Sequence, residues 1–316
     1  MEASLDIRVL FLCAGFGSRL AKDISNLQAD HPLRRIENLP KCLLPLDEKP
    51  LLSHWLDTLS ALNKDVFRAN PIEGKDVFIV VNGTFRDQII EWGNSVQSSI
   101  GLVPPSNILD TGAATNDERK GACADLASGI QHFFPPSTRT FSGLLVIAGD
   151  TLVTGEEEVQ KFLRCVSVHH ANHQPVLWCA WYDVDDANVH KYGILEVDGE
   201  QPCHEDSLSS ALPSHGHVTR FSEKPEASST TSRRACPCFY FVPIQLLDLP
   251  EKYVSQHYSQ LSSTLSHVDA TGRLLEWAVN GRHCEVWAAK ADGRIDVGGL
   301  ESYIKANEYI IVKSRV

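Results

Sequence analysis

The most constraining feature is the run Ile7–Cys13, IRVLFLC, which stops abruptly at Ala14-Gly15-Phe16-Gly17-Ser18-Arg19. A mostly apolar run of strand length, without polar alternation, is buried on both faces. It predicts a central parallel strand covered by helices, with a glycine turn at its carboxyl end.

The pattern repeats along the first half. Val77–Val81 and Gly143–Ala148 are apolar runs ending in Asn82-Gly83 and Gly149-Asp150. Between them, Leu51, Leu52, Trp55, Leu56, Leu59 and Leu62 have helical spacing, as do Phe85, Ile89, Ile90 and Trp92 within Phe85–Val96. Alternating strands and helices predict an α/β fold of Rossmann-like, three-layer α/β/α type with a mixed, mostly parallel central sheet. The second half predicts shorter strands at Pro175–Trp181, Gly193–Val197, His217–Phe221 and Cys236–Val242, some of them antiparallel. Loops are expected at Gln201–Gly216 and Glu226–Arg234, and a final helix from about Leu300 to Val312 after Gly298-Gly299. With no repeat or long linker, residues 1–316 read as one domain, about 1–155 binding nucleotide and about 156–316 binding acceptor, with no β-helix domain.

Composition narrows the function. The chain has 316 residues, 43% hydrophobic, with 40 acidic against 29 basic residues and a net charge of −11. That balance lacks the basic footprint of a nucleic-acid-binding protein, so an anionic substrate needs a few local cations or a metal ion. No apolar run reaches the roughly 20 residues of a membrane span. The acidic start, MEASLD, does not read as a secretory signal. Nine scattered cysteines without a CxxC pair fit reduced thiols and a cytoplasmic location. Homo-oligomerisation stays open.

Several short motifs carry charge. In the first turn, Gly15 and Gly17 allow close approach of backbone to phosphate, and Arg19 offers a planar cationic fork. The same glycines also suit a plain tight connection, and no Gly-Lys-Ser/Thr follows to make a P-loop. In LPKCLLPL, Lys41 sits in an apolar segment between two prolines and needs a partner, an anionic ligand being one and a snorkelling position the other. Asp150, at a strand's carboxyl end, is placed for a metal ion or for a turn. Arg220–Pro225 and Arg294–Gly299 are singly ordinary charged turns.

Their order is more specific. The series AGFGSRL, LPKCLLPL, VVNGTFRDQI, IAGD, KYGILEVDG, VTRFSEKP, ACPCFYF and IDVGGLESYIKAN, from about Arg8 to Asn307, resembles the sugar-1-phosphate nucleotidyltransferases, the nucleotide-sugar pyrophosphorylases related to glucose-1-phosphate thymidylyltransferase.

The resemblance implies an enzyme that joins a nucleoside triphosphate to a sugar 1-phosphate and releases pyrophosphate, with Mg²⁺ as cofactor. It implies that Ala14, Gly15 and Gly17 cradle the nucleotide phosphates and that Arg19 binds the β- and γ-phosphates. By the same resemblance Lys41 holds the α-phosphate, Asp150 and Asp296 hold the metal, and Gly121 packs on the nucleobase. Tyr192 and Gly193 line the acceptor pocket, Glu223 bonds the sugar and Lys224 its phosphate. Ala14 and Cys238 stand where the family often has glycine. The polar stretch between Arg19 and Lys41 is longer than usual, and its Arg34 and Arg35 suggest a flap.

Two rival readings remain at this level: a cytidylyltransferase for phosphocholine or another non-sugar phosphate, with Trp178, Trp181 and Tyr182 as candidate aromatic walls, and a catalytically silent, nucleotide-sugar-sensing homologue. His169, His170 and His173 have a spacing zinc can use but also suit a solvated helix face. Cys236-Pro237-Cys238 reads as a strand with two buried thiols, and Glu156-Glu157-Glu158 as a helix start.

Overall fold

The computed structural model describes residues 4–62, 70–153, 156–170, 175–201, 212–258, 267–291 and 294–314. The chain runs β1 (Ile7–Cys13), α1 (Ser18–Ser25), the short pair β2 (Pro45–Leu46) and β3 (Lys49–Pro50), and α2 (Leu51–Leu62). Next come β4 (Val77–Val81), α3 (Arg86–Ser95), β5 (Ile108–Asp110), α4 (Ala122–Phe133), β6 (Gly143–Ala148), β7 (Thr151–Val153) and α5 (Glu156–His170). The second half continues with β8 (Val176–Asp183), β9 (Gly193–Gln201), β10 (His215–Glu223), β11 (Arg234–Cys236) and β12 (Phe239–Pro243). It closes with α6 (Leu249–Tyr258), α7 (Thr271–Asn280), β13 (Glu285–Lys290), β14 (Arg294–Asp296) and α8 (Leu300–Ser314).

Ten strands form one mixed sheet in the order β5-β4-β1-β6-β12-β8-β13-β10-β9-β11, with β11 also meeting β8. The predicted central strand is central: β1 pairs in parallel with β4 and with β6, in the registers Phe11↔Ile79 and Phe11↔Ile147. Its alternate residues enter two cores. Val9 and Phe11 join Ile79, Ile147 and Trp55, whereas Leu10 joins Val80, Val146 and Leu126. Each such buried aliphatic side chain contributes about 1.5–3 kcal/mol over an exposed one, and the strand's charged residue, Arg8, sits half-buried near its start, paired with Asp6 and Asp76.

The sheet is not mostly parallel. Parallel pairing joins β5, β4, β1 and β6, and recurs between β8 and β13. Every other pairing in the sheet is antiparallel. Apolar composition reports burial but not strand direction, and the crossover helices that enforce parallel pairing belong mainly to the first half.

The predicted strand Cys236–Val242 is two strands, β11 and β12. Pro237, which lacks an N–H donor, and Cys238 separate them. Helix α2 occupies the predicted residues, and its six apolar positions are buried. Trp55 packs on Phe11 and stacks on Phe239, with both ring centroids 5.9 Å away. Its indole N–H donates to the Thr151 carbonyl at 2.7 Å, fastening α2 to the strand that follows Asp150. Most of the predicted loop Gln201–Gly216, and His173, lie outside the described residues. No helix is long and apolar enough to cross a membrane among the described residues.

Candidate active site

β1 and β6 end together. The Gly149 N–H donates to the Leu12 carbonyl and the Ala148 N–H to the Cys238 carbonyl, each at 2.9 Å. A cavity of about 350 Å³ opens at these carboxyl ends, where open α/β sheets bind ligands. Its walls include Ala14, Gly15, Lys41, Asp150, Tyr192, Gly193, Glu223, Lys224 and Asp296 from the sequence-derived set.

The two aspartates meet through a short ladder. β14 pairs antiparallel with β7, setting Asp296 opposite Thr151, and the Val297 N–H donates to the Asp150 carbonyl at 2.9 Å. Burial raises the Asp296 carboxyl above its ordinary range, and the charge of Asp150 raises it further, while Arg294, Lys41 and Arg19 pull it down. A carboxylate whose ionisation a neighbouring carboxylate opposes gains from a cation held between the two.

Lys41 has the partner its apolar surroundings demand: its Nζ lies 3.0 Å from Asp150 Oδ2. Gly17, at φ 63°, opens α1 in the left-handed region. A Cβ there would stand 3.3 Å from Lys41 Cγ, so the glycine lets the lysine stem lie against the turn. Gly17 lines an adjoining cavity that Lys41 shares. Arg19, in the first turn of α1, is exposed.

Gly121 caps α4 with φ 94°, and a Cβ there would stand 2.5 Å from the Val268 carbonyl oxygen. Its neighbour Ala122, rather than Gly121, lines the main cavity. The described geometry therefore gives Gly121 the task of starting the helix against residue 268.

The acceptor-side residues are brought together by β9 and β10, which register Gly193 with Glu223. The Lys224 N–H donates to the Tyr192 carbonyl at 3.0 Å, and Lys224 takes a left-handed φ of 53°, a strained state for a side-chain-bearing residue that recurs at ligand sites. Glu223 is 8% exposed and burial raises its carboxyl above the ordinary range. It fits only because its neighbours are glycines: a Cβ on Gly272 would stand 1.8 Å from Glu223 Oε2.

Two wall residues escaped sequence reasoning. Arg294 lies against the rings of Tyr182 and Tyr192, which meet edge-on, its guanidinium carbon 4.9 Å from each centroid, and Nη2 is 3.5 Å from Asp296 Oδ2. It also donates to the Tyr182 hydroxyl. The available signal was its position two residues before Asp296 on a strand, hence on the same face. Asp125, on α4, is the second, and its signal was a lone acid within the apolar segment ACADLASGI.

The stretch 22–40 folds back on the protein: Arg34 bonds Glu37 and the carbonyls of Ser25 and Leu27, Arg35 pairs with Glu48, and Ile36 is buried. Neither arginine is free to lead a flap. Trp178 and Trp181 are buried in the cores and Tyr182 covers Arg294, so none forms a cavity wall for a quaternary ammonium group. The described His169 ring packs against Trp178 and Trp287. Among the described residues, no group of three or more His, Cys, Asp or Glu is arranged for a metal ion.

The sequence model of the nucleotidyl transferase family matches residues 37–312, most of the chain. The chain belongs to the nucleotidyl transferase family. As a nucleotidyltransferase it shares its fold with an apo UDP-glucose pyrophosphorylase, 16% identical, at TM-score 0.63 over 98% of this chain and all 100% of that one. A UTP-bound enzyme of the same name from Acinetobacter baumannii is 14% identical, at TM-score 0.62 over 98% of this chain and 94% of that one. A Bacillus anthracis chain assigned as a glucose-1-phosphate thymidylyltransferase is 15% identical, at TM-score 0.61 over 96% and 95%. No curated protein sequence matches the chain.

Proposed function

We propose that this nucleotidyltransferase moves a nucleotidyl group from a nucleoside triphosphate to a sugar 1-phosphate, giving a nucleotide-diphospho-sugar and pyrophosphate, with Mg²⁺ as cofactor. The carrying observation is the meeting of Asp150 and Asp296 beside Lys41 and the glycine turn, in a cavity whose other wall holds Glu223 and Lys224. The sugar-nucleotide chemistry is further supported by solved relatives of the fold, one of them a UDP-glucose pyrophosphorylase holding UDP-glucose.

In this reading residues 1–155 bind nucleotide and 156–316 bind acceptor, within one domain. An oxygen of the acceptor phosphate attacks the α-phosphorus, and the bond from that phosphorus to the departing pyrophosphate breaks. The attacking oxygen is ionised at neutral pH, so no general base is needed. What the protein supplies is position and charge for two polyanions.

Backbone N–H groups at Ala14, Gly15 and Gly17 cradle the nucleotide phosphates, Arg19 meets the β- and γ-phosphates, and Lys41 leaves Asp150 to hold the α-phosphate. Gly121 keeps the α4 entrance open for the base. Tyr192, Gly193 and Glu223 receive the sugar, and Lys224 its phosphate. Arg294, held against two tyrosine rings, keeps Asp296 oriented.

Asp150 and Asp296 fit Mg²⁺, which takes one or two carboxylates together with water and substrate phosphate oxygens rather than an all-protein cage. Bound there, Mg²⁺ supplies positive charge to the phosphate oxygens as negative charge develops on them. The burial and mutual repulsion that raise Asp296 are what a cation relieves.

The test is a pyrophosphate-release screen of UTP, dTTP, CTP, ATP and GTP against several sugar 1-phosphates and phosphocholine, with and without Mg²⁺. The reading expects metal-dependent release with at least one sugar 1-phosphate. Release only with phosphocholine, or none with any pair, contradicts it.

A further inference from the structure

Asp125 is a largely buried acid on the cavity wall. It is 9% exposed, lies in the first turn of α4 and lines the main cavity. No described residue donates a hydrogen bond to its carboxylate. Its charged neighbours are Lys120, which favours ionisation, and Asp269, which opposes it. Its oxygens are not sealed off but reach the cavity, where a ligand donor can replace water.

The position restricts what that donor is. The cations suited to phosphate, Lys41, Lys191, Lys224 and Arg294, come from other elements, while Asp125 and Asp269 share the α4–α7 side. With Asp269 paired to Arg119 and Lys120 beside Asp125, the charges of this side are largely balanced, which suits a neutral part of a substrate facing Asp125. The same side runs on into the acceptor region: the Cys123 N–H donates to the Val268 carbonyl at 2.9 Å, Cys123 Sγ to that of Ala270 at 3.2 Å, and Gly272 abuts Glu223.

We propose that Asp125, although it belongs to the nucleotide-binding half, reaches across the cavity as a specificity residue of the acceptor site, hydrogen-bonding a hydroxyl of the sugar ring at an edge other than the one Glu223 meets. The substrate class is then a polyhydroxylated glycosyl phosphate with a free hydroxyl on its α4 edge, as against one that is deoxygenated or substituted there. Burial pushes the Asp125 carboxyl up to about 7, so near neutral pH it is present in both forms. A hydroxyl, being donor and acceptor, satisfies either form, whereas an ammonium group satisfies only the ionised one. Sites built to hydrogen-bond a hydroxyl reject analogues lacking it more strongly than apolar pockets reject a missing methylene.

This inference rests on the sugar-phosphate reading above, and its test separates the two. The full chain with Mg²⁺ is first assayed for its fastest pair of nucleoside triphosphate and sugar 1-phosphate; activity with no sugar 1-phosphate ends both readings. With that pair, wild type is compared with Asp125→Ala and Asp125→Asn on the parent sugar 1-phosphate and its monodeoxy analogues, with thermal melts alongside. Wild type is expected to discriminate against one deoxy analogue by at least about tenfold in kcat/KM, the scale of one hydrogen bond. Asp125→Ala should lose that discrimination and raise the acceptor KM about tenfold, with the nucleotide KM within about twofold. Asp125→Asn, of the same shape, should fall between and keeps the test open if the alanine variant does not fold. Unchanged discrimination and acceptor KM, a rise in nucleotide KM instead, or a change in melting temperature alone would each overturn the proposal while leaving the nucleotidyl-transfer reading standing.

Discussion

The N–H of Val297 donates to the carbonyl of Asp150 at 2.9 Å, joining the ends of two short strands nearly half the chain apart in sequence. The bond extends the β7–β14 ladder by one step and leaves Asp296 beside Asp150 at the cavity. Because Trp55 fastens β7 to the core through the Thr151 carbonyl, the carboxylate pair is set on a rigid support, which a site for developing charge requires.

Lys41 competes with any cation for Asp150 through its 3.0 Å contact. Lys41→Met should lower kcat by about a hundred- to a thousandfold, the scale of losing one major electrostatic contact. It should also lower the Mg²⁺ concentration needed for half-maximal rate. Metal titrations of steady-state activity check both. A variant that needs more metal contradicts the arrangement.

Gly272→Ala places a methyl group 1.8 Å from Glu223 Oε2. Overpacking against a buried group costs about 1–3 kcal/mol, only partly offset by the roughly 1 kcal/mol that alanine gains over glycine in a helix, so a modest loss of stability accompanies the effect on function. The acceptor KM should rise at least about tenfold, with the nucleotide KM unchanged. Initial-rate kinetics in both substrates separate the two.

Arg294→Lys keeps the charge and loses the guanidinium's contacts with the Tyr182 and Tyr192 rings. Each desolvated cation–π contact is worth up to about 2 kcal/mol for a flat guanidinium. Unfolding free energy should fall by about 1–3 kcal/mol and turnover should fall with it. Denaturant titration at neutral pH gives the first number. Equal stability would mean that the tyrosines do not hold the arginine.

Asp125 links stability to pH. Its carboxyl is held at about 7 in the folded protein against an ordinary 3.8. Below the lower value both folded and unfolded states carry the proton, and the group has no effect. Between the two values the folded state keeps a proton that the unfolded state releases, so stability falls as pH rises and levels off above about 7. Asp125→Asn should therefore match wild type near pH 4 and exceed it increasingly up to pH 8. Melting curves across that range provide the check.

Much of this architecture was legible in the residues, and the failures are physical. β1 and α2 were readable because their burial patterns are extreme, apolar on both faces in one and on a broad helical stripe in the other. The antiparallel half was not, because an apolar run such as Val176–Asp183 records burial and says nothing of its neighbours' direction. The ladder that joins Asp150 to Asp296 is a long-range pairing of short strands, invisible to local periodicity. The motif order brought both residues forward only through resemblance. Asp125 and Arg294 stayed hidden because their meaning lies in what faces them, the shared cavity in one and two tyrosine rings in the other.

The most direct measurement is anomalous diffraction from crystals of the protein soaked with Mn²⁺, a stand-in for Mg²⁺, and a nucleoside triphosphate. The account predicts one strong peak in contact with carboxylate oxygens of both Asp150 and Asp296 and with the triphosphate. A metal bound elsewhere, or touching neither aspartate, would contradict it.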